Sequence, residues 1–281
     1  MNFTKKLERA VESSESLLCV GLDPDPSMIP APLKGEISDD SKLITEFCLR
    51  IIEATKTSVC AYKPNMAFFE ALGSKGWEAL EQIVDAIPSG KVIIADAKRG
   101  DIGNTAARYS EALLNRLGAD AVTLNPLMGL ETLDPFLSSE EKAAFILVMT
   151  SNRGAADFLQ RRFEGRMSLG EYIAEELSKK QGRSAAHIGM VVGATQAGWM
   201  EPVLKAHPEA HLLIPGVGKQ GGSVDEMDDV LRNHKGLPIF NSSRSVIYAG
   251  GDNDEWEMKV GEAATVLKQS LEPITRRYVS K

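Results

Sequence analysis

Eight short, almost wholly apolar runs, amphipathic stretches between them, and polar residues directly after nearly every run predict a TIM (β/α)8 barrel, one domain over residues 1–281. The runs fall at 17–21, 59–62, 92–95, 121–124, 144–149, 188–192, 212–214 and 238–240. They do not alternate apolar with polar residues, so they are expected to be buried on both faces, as parallel strands covered by helices are. Amphipathic segments at 42–55, 76–86, 105–117, 169–179, 224–233 and 256–271 supply crossover helices. The structural alternative is an open, doubly wound sheet.

Taken in order, the first run ends in Asp23 and opens a proline-rich connection, 23–39, longer than most βα loops. The second ends in Lys63-Pro64-Asn65, and the third drives straight into Asp96-Ala97-Lys98-Arg99-Gly100-Asp101. The fourth ends in Asn125, and the fifth in Thr150-Ser151-Asn152. A second long connection follows, carrying Arg153, Arg161, Arg162 and Arg166, and a basic run of that kind is by default a solvated face. The seventh run leads into a glycine-rich stretch containing Gly216, Gly218, Gln220 and Gly222, and the eighth into Asn241-Ser242-Ser243-Arg244. One Asp, Asn or Ser at such a junction is ordinarily a helix cap or turn residue. Seven strands ending this way point to a shared site on the C-terminal face, where barrels build their chemistry.

Composition removes several classes of function. A hydrophobic fraction of 43% and a charged fraction of 25% belong to an ordinary globular chain, and a net charge of −7 leaves no broad basic stripe for nucleic acid. The N-terminus has no apolar leader core and no apolar run has the length of a membrane span, so a cytoplasmic protein without membrane partners is expected. Cys19, Cys48 and Cys60 are odd in number and sit in apolar segments, the pattern of reduced core thiols. His187, His207, His211 and His234 show no metal-ligand spacing, and no nucleophile elbow is present.

The charges at 96–101 are the most specific feature. Residues two apart on a strand share a face, so Asp96 and Lys98 should project together, while Gly100 turns the chain and sends Asp101 elsewhere. The glycine-rich stretch after the seventh run offers backbone N–H groups, and Arg244 adds a forked cation, a pairing suited to a monophosphate.

The string Asp96-x-Lys98-x-x-Asp101, followed by Ile102 and Asn104-Thr105, resembles the catalytic signature of the orotidine 5′-monophosphate decarboxylase family, and the extended loops and the Asn125-Pro126 strand end look like its longer bacterial branch. The resemblance spans nearly the whole chain. It implies conversion of orotidine 5′-monophosphate to uridine 5′-monophosphate (UMP) and CO2, the last step of UMP biosynthesis, by a homodimer that uses no cofactor and no metal. It further implies an alternating array of Lys63, Asp96, Lys98 and a neighbouring subunit's Asp101. Asp23 would hold the ribose, Ser151 the pyrimidine edge, and Gln220 with Arg244 the phosphate. Thr105 would reach the ribose across the dimer, and Asn125 joins the substrate-side residues. Loss of CO2 leaves a carbanion with no adjacent electron sink, so fixed charges must stabilise it, and Lys98 between two carboxylates is suited to do so and then to protonate C6.

Two other readings compete. Related sugar-phosphate decarboxylases and aldolases carry an acidic metal ligand after the second strand, where this chain has Lys63, which would repel a divalent cation. A catalytically silent phosphate-binding barrel would be expected to have lost one of the four array charges, and all four are present.

Overall fold

The structure, a computed structural model, describes residues 1–163, 165–216 and 223–279. Its strands are β1 (Leu18–Leu22), β2 (Ala61–Pro64), β3 (Val92–Arg99), β4 (Ala121–Leu124), β5 (Ala143–Met149), β6 (Arg162–Phe163), β7 (Met167–Ser168), β8 (His187–Val192), β9 (Leu212–Pro215) and β10 (Pro238–Ser242). Eight of them close a parallel barrel in the order β1-β10-β9-β8-β5-β4-β3-β2, sealed where Leu18 pairs with Phe240 and Cys19 with Asn241. The open-sheet alternative is thereby set aside. All eight apolar runs are barrel strands, most displaced by only a residue or two, since runs this short and apolar on both faces suit parallel strands covered by helices.

The helices are α1 (Phe3–Ser14), α2 (Ala31–Glu36), α3 (Asp40–Thr55), α4 (Met66–Glu70), α5 (Ser74–Ala86), α6 (Gly103–Ser110), α7 (Leu169–Gln181), α8 (Ala197–Ala206), α9 (Val224–Val230), α10 (Arg244–Ile247), α11 (Trp256–Ser270) and α12 (Glu272–Val279). The predicted helix 105–117 is split: α6 ends at Ser110 and Glu111–Arg116 continues as a π-helical turn. Within the long connection after β5, β6 and β7 form a short antiparallel hairpin that leads into α7, whose Ser168 and Glu171 make a reciprocal capping box.

Helix α1 was not among the predicted elements. Asn2 caps it by accepting the Lys5 N–H, and Phe3, Leu7, Ala10 and Val11 form a buried stripe hidden among charged neighbours. Phe3 packs against Phe145 at the start of β5 and against the rings of His187 and His211, so α1 covers the N-terminal end of the barrel, opposite the strand ends that carry the polar residues. Cys19, Cys48 and Cys60 are all buried free thiols.

The histidines cluster at that closed end, with His207, His211 and His234 buried and His187 partly so. His187 and His211 stack with ring centroids 4.0 Å apart, and the His211 Nδ1 accepts the Leu237 N–H at 3.0 Å. Burial, with His207 beside one and His234 beside the other, holds His187 and His207 down to about 4. It also pulls His211 and His234 below the usual range. Folded values below unfolded ones mean that the unfolded chain binds more protons. Stability is therefore intact above about pH 6.5 and falls as pH drops toward 4. By pH 5 the loss should be on the order of 1–2 kcal/mol for each of His187 and His207. Thermal unfolding followed from pH 7.5 to pH 5 checks this, and a midpoint that does not move across that range would contradict it.

Candidate active site

An open cavity of about 1420 Å³ reaches from the C-terminal ends of the strands to α11, and its lining includes Asp23, Lys63, Asp96, Lys98, Ser151 and Arg244. These six come from five separate β/α units and are brought together only by barrel closure. Lys63 stands on β2, and its Nζ donates to Asp96 Oδ2 at 2.5 Å. Lys98 Nζ donates to the other oxygen, Oδ1, also at 2.5 Å. One carboxylate thus sits between two ammonium groups.

Burial separates their roles. The side chains of Lys63 and Asp96 are 5% and 8% exposed, whereas that of Lys98 is 51% exposed, so Lys98 is the cation open to a ligand. Burial opposes charge on Asp96, but Lys63 and Lys98 outweigh it and hold the carboxyl well below the usual carboxylate range. For Lys63 the same contest, burial against Asp96 and Asp23, leaves the ammonium above its ordinary value. Removing one member of such a buried pair strands the other and typically costs about 3–5 kcal/mol.

Asp96 and Lys98 face each other as alternation predicts, but alternation is not the whole reason. Pairing of β3 with β4 slips between Ala95 and Arg99, and Lys98 has φ 47°, the left-handed region. Thr123 on β4 meets this irregularity. Its Oγ1 accepts the Lys98 N–H at 3.0 Å and donates to Asp96 Oδ1 at 2.9 Å.

Asp23 follows β1 with a buried Oδ1 that has no hydrogen-bond partner, an acceptor left for a ligand. Its backbone is held from across the chain: the Tyr248 hydroxyl donates to Asp23 O at 2.9 Å and accepts the Asp25 N–H at 2.7 Å. Ser151 follows β5 and is seated by the end of β8. A Cβ added at Gly193 would lie 2.6 Å from Ser151 N, so only glycine lets the two strand ends approach, and Thr195 Oγ1 donates to Ser151 O at 3.0 Å. Buried Asn241 on β10 also lines the cavity, with an unpartnered Oδ1. Thr123, Gly193, Thr195 and Tyr248 were absent from the predicted site, because each acts through a contact between distant segments that no local motif marks.

Not every predicted residue converges there. Asp101 is half-buried outside its own cavity, where its Oδ1 accepts the Ile102 N–H at 2.8 Å, and Thr105 is exposed on α6. Asn125 does not line the cavity either. Its Oδ1 accepts the Leu127 N–H at 3.0 Å, the local turn role open to any Asn at a strand end. Gly218, Gln220 and Gly222 lie outside the described residues, while Gly216, with φ 89°, opens that stretch beside Ser151. Among the described residues no group of three or more His, Cys, Asp or Glu side chains is placed to hold a metal ion, and no helix is long and apolar enough to cross a membrane.

Against known proteins, residues 16–258 match a family model described as "Orotidine 5'-phosphate decarboxylase / HUMPS family". The orotidine 5′-phosphate decarboxylase of Herpetosiphon aurantiacus is 45% identical over 96% of this chain and 98% of that protein. The enzyme of the same name from Dehalococcoides mccartyi is 39% identical over 99% and 100%. Among solved structures, the OMP decarboxylase of Leishmania donovani superposes with a TM-score of 0.82 at 33% identity, covering 98% of this chain and 99% of that one. The UMP synthase of Leishmania donovani superposes with a TM-score of 0.81 at 33% identity, and there 97% of this chain covers 57% of the longer protein.

Proposed function

Since the chain belongs to the orotidine 5′-phosphate decarboxylase / HUMPS family and is a carboxy-lyase that converts orotidine 5′-monophosphate to UMP and CO2, we propose that Lys63, Asp96 and Lys98, completed by Asp101 of a second copy, carry the reaction. The observation that carries this reading is the chain of charges Lys63–Asp96–Lys98 on one cavity, with only Lys98 substantially exposed. In it the Lys98 ammonium stabilises the charge developing at C6 and then donates the proton that replaces CO2. Asp96 stands by the departing carboxylate, and Lys63, buried behind it, keeps that carboxylate ionised and in place. Lys63 also argues against the sugar-phosphate chemistry of the wider family, since an ammonium occupies the position where a metal-binding carboxylate would be needed.

Asp23, with its free acceptor, binds the ribose in this reading, Ser151 the pyrimidine edge, and Arg244 with Gln220 the phosphate. The phosphate lies far from C6, so its binding energy serves closure and exclusion of water as well as affinity. Arg244→Ala is accordingly expected to lower kcat/KM by about 10- to 100-fold, with part of the loss in kcat. Steady-state kinetics check it, and parental kinetics would show that the phosphate site has been misplaced.

A homodimer fits the surface beside Asp101. Ile102 after β3 and Leu127 and Met128 after β4 are each more than half exposed on adjoining loops, tied where the Asn125 N–H donates to Arg99 O at 2.8 Å. A second copy packed there would cover this apolar rim and bring Asp101 and Thr105 toward its partner's cavity. The same reading makes residues 1–281 one cytoplasmic barrel domain. The direct test of function is to add orotidine 5′-monophosphate to the purified chain after exhaustive dialysis against EDTA and to follow loss of the orotate absorbance. Full turnover is expected. No turnover even with metal restored would overturn the reading, and turnover only with metal would overturn its cofactor-free form.

A further inference from the structure

We propose that Thr123 is a positioning residue for the decarboxylation, its single hydroxyl fixing the irregular Asp96-Ala97-Lys98 segment of β3 so that the Lys98 ammonium stays on Asp96. The inference rests on the decarboxylase reading and adds to it a residue that touches neither the proton nor the phosphate.

The observation behind it is local geometry. Ala95 pairs with Val122 and Arg99 with Leu124, so four steps along β3 are matched by two along β4, and residues 96–98 are left without regular ladder partners on β4, although Asp96 bridges to Asn65 on the β2 side. Lys98 takes up the excess with φ 47°. A long side chain in the left-handed region is disfavoured by about 1–2 kcal/mol and persists only where its surroundings hold it. Among the described residues the other non-glycine with positive φ is Glu15, which merely ends α1. Thr123 supplies the hold. It is 1% exposed, and its hydroxyl is used fully in both directions, taking the Lys98 N–H and giving its own proton to Asp96 Oδ1. Each bond would be a minor gain alone. Together they tie the backbone of the ligand-facing lysine to the carboxylate on which its side chain rests, which restricts both ends of Lys98 to one arrangement. Lys63 and Lys98 hold the carboxylate by charge, whereas Thr123 determines where along the irregular end of β3 the lysine emerges.

The test compares the parent with Thr123→Val, which keeps the shape and removes both bonds, and Thr123→Ser, which keeps the hydroxyl. Thr123→Val is expected to lower kcat by about 10- to 100-fold, the scale of a misplacement of about 1 Å, while KM and calorimetric affinity for UMP stay within about threefold. Thr123→Ser is expected to stay within about threefold of the parent in kcat. A Thr123→Val enzyme with parental kcat, beside an active parent, would overturn the positioning role alone. So would a parallel loss of kcat, UMP affinity and melting temperature in both variants, which would make Thr123 a packing residue. An inactive parent would overturn the decarboxylase reading, and the role of Thr123 with it. Should Thr123→Val fail to fold, Thr123→Ala and Thr123→Ser decide: a low kcat in the first with near-parental kcat in the second supports the proposal, and equal kcat in both overturns it.

Discussion

Lys98→Ala is expected to lower kcat by at least about ten-thousand-fold, because one side chain supplies both the proton for C6 and the nearest positive charge to the developing carbanion. The loss should be almost purely catalytic. Lys98 is half exposed, and its removal leaves Asp96 still bonded to buried Lys63, so the melting temperature should change little. Asp96→Ala provides the contrast. It leaves the Lys63 ammonium buried beside no carboxylate at that distance, and it should cost about 3–5 kcal/mol of stability in addition to activity. Kinetics and thermal unfolding measured side by side separate the two variants. A Lys98→Ala enzyme within tenfold of the parent would remove Lys98 from the chemistry.

Asp101→Ala is expected to lower kcat by roughly a thousandfold or more, although Asp101 lies outside the cavity of its own chain. Gly100 turns the backbone after β3, where an added Cβ would press on Asn125 O at 3.0 Å, and the chain leaves the barrel mouth there. The Asp101 carboxylate then sits beside Ile102 on the apolar rim, fixed by the Ile102 N–H. A carboxylate held in that way faces away from its own cavity, as the proposed shared site requires. If the proposed dimer forms through Ile102, Leu127 and Met128, sedimentation of the variant should match the parent's, since those residues are untouched; an active Asp101→Ala enzyme would contradict the shared site.

The barrel was readable in the sequence because its strands have no polar face to hide: uninterrupted runs such as 121–124 and 144–149 correspond almost residue for residue to β4 and β5. The cavity residues Asp23, Lys63, Asp96, Lys98, Ser151 and Arg244 were readable for a related reason, since in this fold a polar residue after a strand falls on one shared face. What escaped was whatever depends on two distant segments meeting. Helix α1 has an apolar stripe of only Phe3, Leu7, Ala10 and Val11 among charges, and its burial follows from the open barrel end it covers. Thr123 reads as one more β-branched strand residue until the slip in β3 places the Lys98 N–H opposite its hydroxyl. Asn125 differs from the cavity residues: its position after β4 matches the pattern, and its side chain accepts the Leu127 N–H at the adjoining turn.

The proposed site is built from two chains, and mixing the two inactive variants tests that most directly. Lys98→Ala and Asp101→Ala chains are unfolded together in equal amounts and refolded. With random pairing half the dimers are mixed, and in each of these one site carries both lesions while the other pairs an intact Lys98 with an intact Asp101. Activity per site should therefore recover to about a quarter of the parent's. Refolded mixtures shown to contain mixed dimers, yet no more active than either variant alone, would contradict the shared site and return Asp101 to its own subunit.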